Sequence, residues 1–137
     1  MSGKGSRTKG ASAERELIKL LEDHLGDIVH QQNLSLQRNL EQTRSGGHDV
    51  IGLDDIAIEV KRQEKLQLKA WWNQAVEQSG DHVPVLAYRQ SRRPWRFIVP
   101  MYFLCSERWQ KEVWAHYIEF TAEISIDMFA SIVRDRL

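Results

Sequence analysis

Two runs rich in branched apolar residues, Asp49-Val50-Ile51-Gly52 and Ile56-Ala57-Ile58-Glu59-Val60-Lys61, stand either side of a short turn through Leu53, Asp54 and Asp55. Branched side chains favour the pleated, half-buried surface of a sheet, and so short a connection suits an antiparallel hairpin. The rest of the chain must be arranged around that hairpin. Upstream, Ser12 is placed to cap a helix that carries Ala13, Leu17, Leu20, Leu21 and His24 at helical spacing and stops at Gly26. A first strand is expected near Leu34 to Leu40. Downstream, Gln67 to Gln78 reads as a second helix closed by Gly80, with Leu68, Trp72, Ala75 and Val76 on one stripe and Trp71, Gln74 and Gln78 on another. Val83 to Tyr88 and the apolar run Trp95 to Leu104 flank a turn, Arg89 to Pro94. After these come a helical stretch, Glu107 to Trp114, a short strand, Tyr117 to Thr121, and a last helix capped by Ser125 and running to Arg136. The order helix, strands, helix, strands implies an α/β domain in which a mixed sheet is flanked by helices.

A chain of 137 residues has room for one core. Residues 1–10, basic and rich in Gly and Ser, are expected to be a mobile arm. Residues 11–137 form the single domain, with the core at about 11–104 and an elaboration at 105–137. No apolar run approaches the roughly 20 residues that span a bilayer, and the single Cys105 excludes an internal disulfide or a multi-cysteine zinc site. With no apolar stretch near Met1, an intracellular protein with no membrane partner is expected. Lys plus Arg and Asp plus Glu number 19 each, a balance that argues against a histone-like coat for DNA. Local clusters survive that balance: Arg89, Arg92, Arg93 and Arg96 form one, and Lys61, Arg62, Lys65 and Lys69 form another, and both suit phosphates.

Glu59 and Lys61 are two apart on a strand, so they leave the same face while Val60 points the other way. Asp49 heads the paired strand, where the hairpin can bring its carboxylate to within a few ångströms of Glu59. Like charges that close repel unless a proton or a cation lies between them, and hard oxygen ligands favour Mg²⁺, with Mn²⁺ able to substitute. A metal between two carboxylates suits phosphodiester hydrolysis, where it activates water and offsets transition-state charge. Lys61 is then placed to orient the water or stabilise developing charge. Glu14, an acid on the buried stripe of the first helix, is costly there unless paired, so it is a candidate to complete the metal shell. Gln74 can donate to a phosphate oxygen, and Arg44 and Ser45, on the turn before Asp49, can contact a nucleic-acid backbone. Trp71 and Trp72 are not expected to face one core together. Trp72 is assigned inward, and Trp71, on the stripe of Gln74, is a candidate to stack on a base or a subunit neighbour.

The constellation Glu14, Ser45, Asp49, Glu59-Val60-Lys61 and Gln74 resembles the PD-(D/E)xK nuclease superfamily. It is most similar to the small Holliday junction resolvases of archaea and the resolvase-like nucleases of bacteriophages. The resemblance covers about Lys9 to Arg96, including Lys9-Gly10 before Glu14-Arg15-Glu16-Leu17 and Ser45-Gly46-Gly47 before Asp49. It implies an αβββαβ core, a homodimer, and Mg²⁺-dependent cleavage of paired strands in branched DNA, with Asp49, Glu59, Val60 and Glu14 at the metal. Lys9, Arg15, Arg44, Ser45, His48, Arg62, Trp71, Arg92 and Arg93 are the expected DNA contacts. His48 stands where the superfamily's name has proline. The aromatic tail, with Trp109, Trp114, Tyr117 and Phe120, matches nothing in the resemblance and is expected to form part of the dimer contact or an elaboration beside it.

Overall fold

A computed structural model describes the backbone of residues 3–40 and 48–137, and side chains within 10–40 and 48–137. The first helix, α1, spans Gly3–Leu25. The expectation of an arm over residues 1–10 is thereby corrected from Gly3 onward: extending a nucleated helix costs far less than starting one, so the glycine-rich stretch continues α1. Ala13, Leu17, Leu21 and Leu25, four residues apart, form its buried stripe. Gly26, in the left-handed region, ends it, and a single turn, α2 (Ile28–Gln31), follows.

Strands β1 (Gln37–Arg38), β2 (Val50–Ile51) and β3 (Ile56–Arg62) come next. The expected hairpin is present, with Val50 opposite Ile58 in antiparallel register. Helix α3 (Leu68–Ser79) then crosses over to β4 (Val83–Arg89), which runs parallel to β3 with Glu59 beside Leu86 and Lys61 beside Tyr88. β5 (Arg96–Pro100) returns antiparallel to β4. The single turn α4 (Met101–Leu104) and three 3-10 turns lead to β6 (Thr121–Ser125) and the last helix, α5 (Ile126–Arg136). Ser125 caps α5, its hydroxyl accepting from the Met128 N–H at 3.2 Å. The sheet is mixed, with its six strands in sequence order, and no helix among the described residues is long and apolar enough to cross a membrane.

On one face α1 and α5 bury Leu17, Leu21, Val85, Phe97, Val99 and Phe129 in a single core. On the other, α3 packs Trp71, Trp72 and Ala75 against Leu86, Tyr88 and Ile98. Both tryptophans are therefore inside: Trp71 is 5% exposed, its ring 6.3 Å from that of Tyr88, and Trp72 is fully buried. This corrects the assignment of Trp71 to DNA. Two adjacent positions can both be covered because the tail supplies a second wall: Ile118 packs on this cluster, and the Trp72 indole N–H donates to the His116 carbonyl at 2.9 Å.

Gly52 sets the spacing between β1 and β2. Its φ is +121°, and a Cβ there would stand 2.3 Å from the Ser35 carbonyl oxygen. Gly52→Ala is expected to cost more than about 1 kcal/mol in urea unfolding, since both the conformation and the space exclude a side chain. A neutral result would mean that the β1 edge yields freely.

Candidate active site

The site lies where the upper half of β3 meets the start of β2 and the middle of α3. Asp49 and Glu59 are 5% and 3% exposed, a degree of burial that carboxylates tolerate only with partners. Asp49 is anchored at both ends. Its N–H donates to the Ile58 carbonyl at 2.9 Å, and its Oδ2 accepts from the Val60 N–H at 2.8 Å. A strand residue's N–H and C=O leave on the same side, so the Val60 carbonyl shares the flank on which Asp49 lies.

Glu59 is held through one oxygen. Its Oε1 accepts from Gln74 Nε2 at 3.4 Å and lies 3.9 Å from Lys61 Nζ. Its Oε2 is buried with no hydrogen-bonding donor. Burial, then the charge of Asp49 and close contact with its carboxyl group, push the Glu59 carboxyl up to about 9, and Lys61 only partly opposes the rise. Without a cation, Glu59 therefore keeps its proton at neutral pH. The third acid, Glu14, projects from α1 with its side chain 12% exposed, and its Oε2 accepts from Arg38 Nε on β1 at 2.6 Å. Burial raises its carboxyl too, the bond to Arg38 opposes that, and Asp49 adds to the rise.

Among the described residues no three His, Cys, Asp or Glu side chains close as a ready-made metal cage. The residues present do fit a divalent cation of the Mg²⁺ kind, which takes one or two carboxylates and fills its shell with water and substrate oxygens. The orphaned Glu59 Oε2 beside Asp49 is the observation that carries the fit.

The structure thus brings Glu14, Asp49, Glu59, Lys61 and Gln74 together. His48, half-buried beside Asp49, has its ring 5.6 Å from that of His82, and burial and that neighbour lower its pKa. Arg62 lies on the rim, 3.6 Å from Glu16, which also pairs with Arg89 and accepts from the Trp95 indole at 3.0 Å. Arg92 and Arg93 are exposed on the β4–β5 turn, which is tied to the loop after β3 by Gln90 and Ser91 donating to Glu64. Arg15 is exposed on α1. Arg44, Ser45 and the side chain of Lys9 lie outside the described residues. Sequence reasoning missed Arg38, although its spacing from the buried Leu36 already placed a cation on the inward face of that strand.

A six-stranded mixed sheet flanked by helices, carrying an acid on its first helix, an aspartate at a strand head and Glu-x-Lys on the next strand, defines the PD-(D/E)xK class of nuclease. The sequence matches the family described as "Phage putative PDDEXK endonuclease" over residues 5–133, and the chain belongs to that family. Among solved structures it is similar to Hjc, a Holliday junction resolvase of the archaeal hyperthermophile Archaeoglobus fulgidus. That similarity has a TM-score of 0.45 and 23% identity, covering 65% of this chain and 70% of that one. No curated protein matches the chain.

Proposed function

We propose that this protein is a Mg²⁺-dependent endonuclease that hydrolyses DNA phosphodiesters, acting as a homodimer on branched or four-way DNA. The buried pair Asp49 and Glu59, with one carboxylate oxygen lacking any donor, is the observation that carries the reading. Asp49, Glu59 and the Val60 carbonyl would hold Mg²⁺, or Mn²⁺ in its place, with Glu14 completing the shell directly or through water. When bound, the metal supplies an acidified water and a counter-charge for the phosphorane-like transition state.

The chain's own groups do the rest. Val60 N–H fixes one carboxylate, and Gln74 and Lys61 fix the other. The Lys61 ammonium, 19% exposed and on the same strand face as Glu59, stands where it can orient the attacking water and face negative charge as it develops. The four-way junction as substrate rests on the resemblance of motifs.

The test is cleavage of a labelled four-way junction beside linear duplex and single strand, with Mg²⁺ and with EDTA. Wild type is expected to cut the junction symmetrically and only with metal, and Lys61→Ala to lower the rate about 10²–10³-fold, as loss of one preorganised charge does. Equal cutting of duplex would remove the junction preference and leave the nuclease. Binding without cutting under any divalent metal would leave a non-catalytic DNA-binding module.

A further inference from the structure

Gly10 lies inside α1, away from either end of the helix, and a Cβ built on it would meet nothing within 4 Å. Glycine in a helix interior is destabilising relative to alanine. Neither crowding nor a left-handed backbone requires it here. The space it leaves open belongs to a cleft of about 620 Å³, whose floor is Gly10 and Ala13 and whose far wall is the end of β3 and the loop beyond, with Lys61, Arg62 and Lys65. The acid in that wall, Glu64, is tied to the β4–β5 turn, its Oε1 accepting from the Ser91 N–H at 2.9 Å. The Arg62 Nε is buried without an acceptor, although its outer nitrogen reaches Glu16. A cationic cleft thus opens beside Lys61, with Gly10 and Ala13 of α1 as its floor.

We infer that this cleft seats the sugar–phosphate backbone of the substrate strand next to the bond that is cut, with Gly10 as the surface against which the backbone lies and Arg62 and Lys65 as its phosphate partners. The inference deepens the nuclease reading and rests on it. It separates two explanations of Gly10 by sign. If the glycine is merely an unoptimised helix residue, replacing it stabilises the protein and changes nothing else. If it is a contact surface, the same change stabilises the protein and weakens its hold on DNA.

The experiment measures binding of a fluorescent DNA by anisotropy in EDTA, alongside thermal melting, for wild type, Gly10→Ala, Gly10→Gln and Lys65→Ala. Reading binding without metal makes the outcome independent of cleavage. Both Gly10 variants should melt about 2–4 °C higher. Gly10→Gln should bind at least about fivefold more weakly, the usual penalty of forcing extra methylenes into a fitted contact. Lys65→Ala should flatten the dependence of log affinity on log salt by about 0.9 for duplex or about 0.7 for a single strand, one phosphate's share. Undiminished binding by Gly10→Gln, or a lower melting temperature for Gly10→Ala, overturns the inference. Failure of wild type both to bind DNA in EDTA and to cut it with Mg²⁺ overturns the nuclease reading beneath it.

Discussion

Glu59→Gln should abolish metal-dependent cleavage while making the metal-free protein more stable at neutral and alkaline pH. The two effects have one cause. Glu59 is 3% exposed and its carboxyl is pushed up from 4.5 to about 9 by burial and by Asp49. A group raised on folding contributes stability that is complete below its unfolded pKa and is lost as pH climbs through the folded value. Wild type without metal is therefore expected to lose stability steadily between about pH 5 and 9. Glutamine has the shape of the protonated acid, and its amide can donate toward Asp49, so the variant should lack this part of the decline. Even one pKa unit of the shift is worth about 1.4 kcal/mol, a few degrees of melting temperature. Added Mg²⁺ should stabilise wild type more strongly as pH rises, because binding must displace the proton, and should leave Glu59→Gln unmoved. Melting curves at pH 5, 7 and 9, with and without Mg²⁺, decide it. A variant that declines in parallel with wild type would show that the carboxyl pair is not strained.

Phe129→Ala carries the other large effect, on the fold itself. Phe129 is wholly buried, its ring stacked at 4.4 Å on Phe97 of β5 and 6.0 Å from Phe103 of α4. Truncating a buried phenylalanine costs about 3–5 kcal/mol, a large share of the roughly 5–15 kcal/mol by which a domain is stable. The melting temperature should fall by roughly 10 °C or more. A change below about 1 kcal/mol would instead make residues 105–137 a separable elaboration. The packing argues for the larger figure, since α5 shares a core with α1, the helix that delivers Glu14.

The elements that were legible in the sequence are those with a clean period. Strand parity put Glu59 and Lys61 on one face, the turn paired Asp49 with them, and the leucine stripe of α1 turned Glu14 inward; the geometry agrees on each. The tail had no such period. The helix expected over Glu107 to Trp114 is two 3-10 turns, and Tyr117 to Thr121, read as a strand, is a 3-10 turn ending where β6 begins. Their shape is set by aromatic packing of Trp109, Trp114 and Phe120 on one another and on the domain. Contacts between distant segments leave no periodic trace. The same reason hid the burial of Trp71, whose outer wall comes from residues more than forty positions later.

A single peptide unit links the two acids at the centre of the site. The Val60 amide that holds Asp49 follows Glu59 directly in the chain. The separation of the two carboxylates is therefore governed by bond lengths and ladder register more than by side-chain choice. Loops, rim arginines and the tail can change in composition without altering the bite of that pair. Diversification in a protein built this way falls on what is admitted to the reaction, while the instrument that performs it stays calibrated by the backbone.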